Sequence, residues 1–469
     1  MKKVSRVLLM MVMGLSLLAG AARAEIGTID AVPAATLLLP YFECELDDNL
    51  APAEGGVTTL FSINNASASA ALAHVTLWTD ESIPTLDFDV YLTGYDVQTI
   101  NVCDIFRGNL PVTASDGQDP ADTANPNDGI SNQGPLSQDI NFASCTGRLP
   151  YVNPVLGSTL LNHIRNAHTG GPSTVFGGRC SGFDYGDTVA RGYITVDSTT
   201  QCSLDFPSSP AYFTGVADFR NILWGDYFHV NSSENFAHGE TLVHIEACTP
   251  GNGYTGSVGT GTSGVNACPF TAGDYTFYGR YTGASGADQR EALSTNFAAR
   301  YLNGGGFTGG TDLVVWRDSK TTPGAPGAPN GPFTCGGNAT WFPLNQAEVV
   351  AFDEQENSTD LCFEGDNVSP PIGGADTCFP LETQRVSLQG GNIPGDDPIP
   401  PYTFGWMFLD LNTTVAGGLY NPVAQAWVTT VMDASGRFSV GYDAVQLDQA
   451  NETFQSSVVI LPPAGTQQQ

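Results

Sequence analysis

The sequence predicts a mainly β protein: an antiparallel β-sandwich of jelly-roll or Ig-like type, stapled by disulfides, with a long loop and helix insertion. Three observations predict it. Short β-prone runs recur at regular spacing, ten cysteines give an even number for pairing, and glycine- and proline-rich segments separate the runs. An apolar fraction of 41% is sufficient for a hydrophobic core, which excludes a wholly disordered chain.

The first strands follow one another closely. Val57 to Asn64 and Leu72 to Thr79 are β-prone runs joined by a small polar turn. Asp87 to Thr93 alternates apolar and polar residues, which is the period of a strand with one buried face. The pattern stops from Leu110 to Pro150, where polar turn residues dominate, and we expect a long loop there.

Beyond that loop, apolar residues at helical spacing from Leu156 to Ile164 predict one helix. Strand-like runs then resume: Val189 to Val196, Tyr227 to Val230, Thr241 to Ala247, Tyr275 to Tyr281, Leu313 to Trp316, Phe404 to Leu411, Ala424 to Met432 and Phe438 to Tyr442. We predict one large β-rich domain over residues 25–469. A proline- and glycine-rich stretch within residues 319–340 marks the alternative, a subdivision into two domains.

The N-terminus resembles a signal peptide over residues 1–24. Lys2, Lys3 and Arg6 are followed by the apolar run Val7 to Leu18, and Ala22-Arg23-Ala24 supplies small residues for cleavage. The apolar run is shorter than the roughly 20 residues that span a bilayer, so we expect no membrane insertion. The mature protein is predicted to be secreted or extracellular, with the periplasm as the alternative.

The charge balance excludes whole classes of partner. Seventeen bases face 48 acids, for a formal net charge of −31. Such a polyanion repels DNA, RNA and anionic lipid heads, so nucleic-acid binding is not expected.

The cysteines are predicted to form disulfides rather than a metal centre, because no C-x-x-C spacing occurs and the chain is exported. Spacing alone does not fix the pairing. Three local pairs are candidates: Cys180 with Cys202, Cys248 with Cys268, and Cys362 with Cys378.

One strand-like run carries clustered metal-ligand side chains. In extended backbone, His238, Glu240, His244 and Glu246 point to one face, and His229 could join them from a neighbouring strand. Imidazole and carboxylate ligands suit zinc or another transition metal. However, residues 238 and 246 lie on the order of 26 Å apart along a strand, so one ion could not use the whole set, and a cross-strand structural role is the alternative.

The loop after Leu110 offers a second candidate site, for calcium. Asp116, Asp119, Asp122 and Asp128 lie among asparagines and glycines, and calcium takes oxygen ligands of this kind. No EF-hand-type frame occurs, and a solvated acidic loop is the alternative.

Catalytic signatures are missing: the chain contains neither G-x-S-x-G nor H-E-x-x-H. The sequence leaves enzymatic activity open and favours its absence. Our first hypothesis is an exported, non-catalytic β-sandwich protein with a surface, matrix or binding role, whose partner is a carbohydrate or another surface protein. The alternatives are a metal-dependent hydrolase using the His/Glu strand and a calcium-stabilised carbohydrate-binding module.

Overall fold

A computed structural model describes residues 32–111, 142–145, 147–247, 275–282, 288–305, 308–319, 331–362, 377–390, 398–415, 419–420, 424–434 and 436–447. Among the described residues, 44% lie in strands and 9% in helices, and the sheets are antiparallel and open. The prediction of a mainly β, antiparallel, disulfide-linked protein is therefore confirmed.

The first half of the chain forms one ten-stranded sheet, in which seven strands follow the order β4-β3-β6-β1-β2-β8-β9. Strands β5 and β7 pair with β2, and β10 pairs with β1. The strands are β1 Thr36–Glu45, β2 Thr58–Asn65, β3 Ala71–Trp78, β4 Pro84–Leu92, β5 Val97–Asn101, β6 Val189–Thr199, β7 Leu223–Trp224, β8 Asp226–Asn231, β9 Phe236–Thr241 and β10 Val243–Ile245. Strands β2, β3 and β4 follow the runs predicted from the sequence.

The second half forms two larger sheets, in the orders β14-β13-β16-β11-β21 and β15-β12-β19-β20, and a small sheet of β17 with β18. The strands are β11 Asn296–Leu302, β12 Gly310–Ser319, β13 Glu348–Asp353, β14 Ser358–Asp360, β15 Thr383–Ser387, β16 Phe404–Asp410, β17 Thr414–Val415, β18 Leu419–Tyr420, β19 Ala424–Asp433, β20 Ser439–Asp443 and β21 Val445–Gln446. The described chain thus changes sheets between Ile245 and Asn296.

The described helices are short: α1 Val102–Arg107, a 3-10 helix Phe142–Cys145, α2 Ser158–His168, α3 Pro210–Gly215 and α4 Gly279–Thr282. Helix α2 corresponds to the helix predicted from the leucine spacing. Asn101 caps α1 by accepting from the Cys103 N–H, and Gly108 ends α1 with a φ of 96°, a left-handed conformation that suits glycine. None of the described helices combines the length and apolar character needed to cross a membrane.

The strand predicted for Tyr275 to Tyr281 is wrong, because this segment contains helix α4. Its residues are buried on all sides instead of alternating between two faces. The Tyr278 N–H donates to Asp288 Oδ2 at 2.8 Å, and the Arg280 guanidinium forms a buried ion pair with Asp318 at 2.8 Å. These contacts favour a compact turn where aromatic residues alone suggested a strand.

The two halves share one buried aromatic cluster. Trp78 and Tyr193 from the first sheet pack with Trp316 and Trp427 from the second half. The β3–β4 turn inserts into this contact, where the Glu382 N–H donates to the Asp80 carbonyl at 2.9 Å. The halves are therefore joined by an extensive buried contact as well as by the chain.

Disulfides correct the local pairing expected for Cys180 and Cys202. Cys180 pairs with Cys335, and Cys202 pairs with Cys145. Cys180 exchanges backbone hydrogen bonds with Phe333, two residues before Cys335, and the Cys202 N–H donates to Ser144 Oγ, next to Cys145. The remaining described pairs are Cys44–Cys103 and the predicted Cys362–Cys378, whereas Cys248 and Cys268 lie outside the described residues.

Candidate functional site

The chain separates the predicted His/Glu cluster into two groups. His238 and Glu240 lie on β9, which pairs with β8, whereas His244 lies on β10, which pairs with β1. In the β8–β9 register, His229 lies opposite His238, and Tyr227 lies opposite Glu240. Of the five predicted ligands, the two facing histidines are therefore brought together, and His244 is directed to another part of the sheet.

The His244 imidazole is bonded to backbone groups. Its Nδ1 lies 2.7 Å from the Val32 carbonyl oxygen, and its Nε2 accepts from the Gly225 N–H at 3.4 Å. Glu246 follows β10, and burial raises the pKa of its carboxyl to about 7. These contacts give His244 a structural role at the beginning of the described chain.

His229 and His238 line a narrow cleft between the β8–β9 hairpin and the second half of the protein. Their rings are nearly parallel, at 14°, with centroids 6.0 Å apart. The other lining residues are Tyr41, Phe236, Val314, Arg385 and Val431. The hairpin also contacts β20. The His238 ring lies against Gly441, in space that a side chain at position 441 would fill.

Hydrogen bonding determines the tautomer of His229. Thr59 Oγ1 donates to the Glu43 carbonyl at 3.1 Å, so the proton between Thr59 Oγ1 and His229 Nδ1, 3.0 Å apart, belongs to the imidazole. His229 Nε2 then carries a lone pair. In the part of the chain that the structure describes, His229 Nε2 and both ring nitrogens of His238 have no hydrogen-bond partner.

Both imidazoles are neutral near pH 7. Burial and, to a lesser extent, the nearby Arg385 guanidinium lower the pKa of His238 to about 4. Burial also lowers the pKa of His229, well below its usual value, and His238 and Arg385 add to this effect.

The cleft does not assemble the predicted metal ligands. Among the described ranges, no group of three or more His, Cys, Asp or Glu side chains is arranged to hold a metal ion. The zinc site therefore stays a sequence prediction. The calcium ligands predicted at Asp116, Asp119, Asp122 and Asp128 lie outside the described residues.

The opposite, outward face of the same hairpin carries a different set of side chains. Trp224 on β7 and Phe228 on β8 are 43% and 46% exposed, respectively, and Asp226 lies between them. Because alternate residues of a strand share a face, these three side chains form one row, while Tyr227 and His229 point inward. We call Trp224, Asp226 and Phe228 the hairpin face.

Gly239 determines how Phe228 lies on this face. Gly239 pairs with Phe228 across the β8–β9 ladder, and a Cβ atom at Gly239 would lie only 2.3 Å from Phe228 Cδ1 and 2.5 Å from Cε1. The phenyl ring therefore lies across the glycine, in the space that a side chain would fill. One side of the ring rests on the strand, and its exposed fraction faces solvent.

Strand β2 holds Asp226 in place. Ser62 Oγ donates to Asp226 Oδ1 at 2.7 Å, and Asn64 Nδ2 donates to Ser62 Oγ at 3.0 Å. Asn64 also pairs with Trp224 on one side and with the exposed Val97 of β5 on the other. The result is a fixed carboxylate between two exposed aromatic rings.

Sequence reasoning missed the hairpin face, although a signal was present. Trp224, Asp226 and Phe228 alternate with Gly225, Tyr227 and His229, the period-two pattern of a strand with two different faces. The prediction started the strand at Tyr227 and therefore excluded Trp224.

Comparison with known proteins adds no relative from which a function could be transferred: no protein-family model, no curated protein and no solved structure matches this chain.

Proposed function

We propose that this protein is an exported, non-catalytic binding protein that holds a neutral carbohydrate on its hairpin face. The observation that carries the proposal is the exposed Phe228 ring lying across Gly239, in one row with Asp226 and Trp224. Exposed large aromatic side chains in a fixed arrangement are typical of binding surfaces.

The chemistry of the row suits a sugar chain. Sugar rings have apolar C–H faces that pack on aromatic rings, and their hydroxyl groups donate to carboxylates such as Asp226. Four residues of extended strand separate Trp224 from Phe228 by about 13 Å, a span that fits a short oligosaccharide better than a single ring.

The charge of the protein favours a neutral ligand. With a formal net charge of −31, the chain repels anionic polymers, whereas an uncharged polyol meets no such barrier. Asp226, the charged group in the row, accepts hydrogen bonds and so fits hydroxyl donors.

The remaining features fit a protein that works outside the cytoplasm. Four cysteine pairs at bonding distance indicate an oxidising compartment, and the signal-like N-terminus supports export. We also propose that the sheets of the two halves pack as a sandwich, because the hydrophobic cluster of Trp78, Tyr193, Trp316 and Trp427 lies between them.

The test is retention of the mature protein on insoluble or immobilised neutral polysaccharides: cellulose, xylan, mannan, chitin and β-1,3-glucan. We expect retention on at least one polymer, and a loss of affinity of at least tenfold in Trp224→Ala and Phe228→Ala, or about 1.4 kcal/mol each. The control is Phe438→Ala. Phe438 is similarly exposed, at 50%, but it precedes β20 and is not part of the hairpin face.

Melting temperatures of all variants should stay close to that of the wild type, because the substituted side chains are exposed. The proposal fails if the protein is retained on none of these polymers, or if Trp224→Ala and Phe228→Ala are retained as well as Phe438→Ala.

A further inference from the structure

A second aromatic row lies on the five-stranded sheet of the other half. Its register aligns four residues across four neighbouring strands: Ser358 of β14, Phe352 of β13, Trp406 of β16 and Arg300 of β11. At about 4.8 Å between strands, the row is about 14 Å long. Its length therefore resembles that of the hairpin face.

The two rings at the centre of this row are held rigidly. Phe352 and Trp406 stack with centroids 4.2 Å apart and an angle of 6° between their planes. The neighbouring Gly405 has no room for a side chain, because a Cβ atom there would lie 1.8 Å from the Phe352 carbonyl oxygen, which also accepts from Tyr301 Oη at 3.0 Å. Because these rings are already ordered, binding a ligand to them would cost little conformational entropy.

This row is open to solvent at several positions. Phe404 precedes Trp406 by two residues on the same strand, so it shares the face, and it is 43% exposed. Ser358 and Arg300 are also exposed, while Phe352 and Trp406 are partly buried. We call Phe352, Phe404 and Trp406 the second face.

Polar groups border the second face. Ser358 and Arg300 stand at the two ends of the row. Hydroxyl and guanidinium groups next to aromatic rings can bind the hydroxyls of a sugar chain. The acidic residues Asp353 and Asp360 on the adjoining strands argue against a polyanion and for an uncharged ligand.

We propose that the second face is an independent carbohydrate-binding site, so that each chain binds two polysaccharide segments and cross-links polymers. This inference rests on the proposed function of the hairpin face. The two faces belong to different sheets and share no residue, so each can be removed without altering the other.

Two sites per chain change how the protein behaves on a long polymer. Once one face has bound, the other face meets a high effective concentration of the same polymer, and avidity can exceed either single affinity by about 10²- to 10⁴-fold. Short oligosaccharides cannot bridge two sites, so their binding reports each face separately.

The experiment compares the wild type, Trp224→Ala, Trp406→Ala and the double variant. Titration calorimetry with six-unit neutral oligosaccharides of glucose, xylose, mannose, N-acetylglucosamine and β-1,3-linked glucose counts sites. Aggregation of the matching long soluble polymer measures cross-linking. We expect two sites in the wild type, one in each single variant and none in the double variant, with cross-linking by the wild type alone. Phe404→Ala supplies a second, exposed substitution in case Trp406→Ala does not fold.

Other outcomes separate the two proposals. Suppose that Trp224→Ala abolishes all binding while Trp406→Ala and Phe404→Ala bind like the wild type. The proposal that the second face binds carbohydrate is then overturned, and the proposal for the hairpin face is retained. If the wild type binds none of the oligosaccharides, the proposed function itself fails. If the second face binds only polygalacturonate, an acidic polymer, the assignment of a neutral ligand to it is overturned.

Discussion

Two histidine environments in this protein differ in charge although both are buried. His74 on β3 lies within the first sheet, where Nδ1 is 2.9 Å from Asp89 and Nε2 is 3.8 Å from Asp87. Burial alone would lower the pKa of His74, but the attraction of Asp89, its hydrogen bond and the nearby Asp87 and Asp197 raise that pKa to about 8. The His229–His238 pair has Arg385 beside it instead, and the pKa of His238 falls to about 4.

The difference shows that burial lowers the pKa of all three histidines, and that only His74 has neighbouring carboxylates strong enough to reverse this effect. A protonated His74 beside carboxylates is an ion pair that holds strands β3 and β4 together. The neutral His229–His238 pair contributes shape and packing, and three of its four ring nitrogens lack hydrogen-bond partners among the described residues. The second environment is therefore the one that acidification should disturb, and it lies directly beneath the hairpin face.

The largest effect should come from breaking the ion pair at His74. Asp89→Ala would leave a buried imidazolium without its main partner and would also remove the acceptor of the Ser203 N–H. We expect a loss of roughly 3–5 kcal/mol in the free energy of unfolding at pH 7, measured by denaturant titration.

The control for this prediction is Asp104→Ala. Asp104 pairs with Arg107 on α1, both side chains are largely exposed, and the expected loss is within about 0.5 kcal/mol. Equal losses in the two variants would contradict the view that the buried pair is the stronger one.

Acidification should weaken the hairpin and should not reduce the stability that His74 contributes. The pKa of His238 is lowered from 6.5 to about 4, so the stability that its neutral form contributes is complete above pH 6.5 and is lost as the pH falls towards 4. The full loss amounts to roughly 3 kcal/mol, most of it between pH 6.5 and pH 4. For His74 the sign is opposite: its contribution is complete below pH 6.5 and is lost as the pH rises through about 8.

Hydrogen exchange of residues 226–241 measures this effect, with protection factors corrected for the intrinsic exchange rate at each pH. Protection should fall between pH 7.5 and 5 in the hairpin but not in β3. Polysaccharide retention should fall over the same range, because Asp226 and Phe228 belong to the hairpin. Uniform loss of protection throughout the first sheet would contradict a local effect.

Local patterns in the sequence were sufficient for the strands and the main helix. The alternation in Asp87 to Thr93 predicted most of β4, although that strand is buried on both faces, and the leucine spacing after Pro154 predicted α2, whose leucines pack against the core. The prediction for Tyr275 to Tyr281 was wrong, because long-range ion pairs of Arg280 determine its backbone. Cysteine pairing also depended on tertiary structure, since Cys180 pairs with Cys335, which is distant in sequence.

The candidate site was only partly predictable for the same reason. The sequence indicated that His229 and His238 could be neighbours, and the β8–β9 register confirms that they face each other. The sequence could not show that β10 leaves β9 to pair with β1, which takes His244 away. The position of Phe228 over Gly239 depends on cross-strand register, which the sequence pattern does not specify.

The smallest effect should come from replacing one histidine of the neutral pair. His238→Leu removes two ring nitrogens that have no hydrogen-bond partner in the described part of the chain and keeps an apolar side chain against Gly441. Removing an unpaired polar group at little cost in packing should change the free energy of unfolding at pH 7.5 by less than about 1 kcal/mol. It should also reduce the loss of hairpin protection between pH 7.5 and 5, leaving only the contribution of His229.

His244→Leu is the matched control, because it removes an equally buried imidazole whose nitrogens contact the Val32 carbonyl and the Gly225 N–H. This change should cost about 1–3 kcal/mol and leave the acid response of the hairpin as it is in the wild type. If His238→Leu is as destabilising as His244→Leu at pH 7.5, the His238 nitrogens have partners after all. His238 and His74 would then differ in the strength of their hydrogen bonds and not in whether they have any. The contact beneath the hairpin face would be a polar one instead of an apolar one.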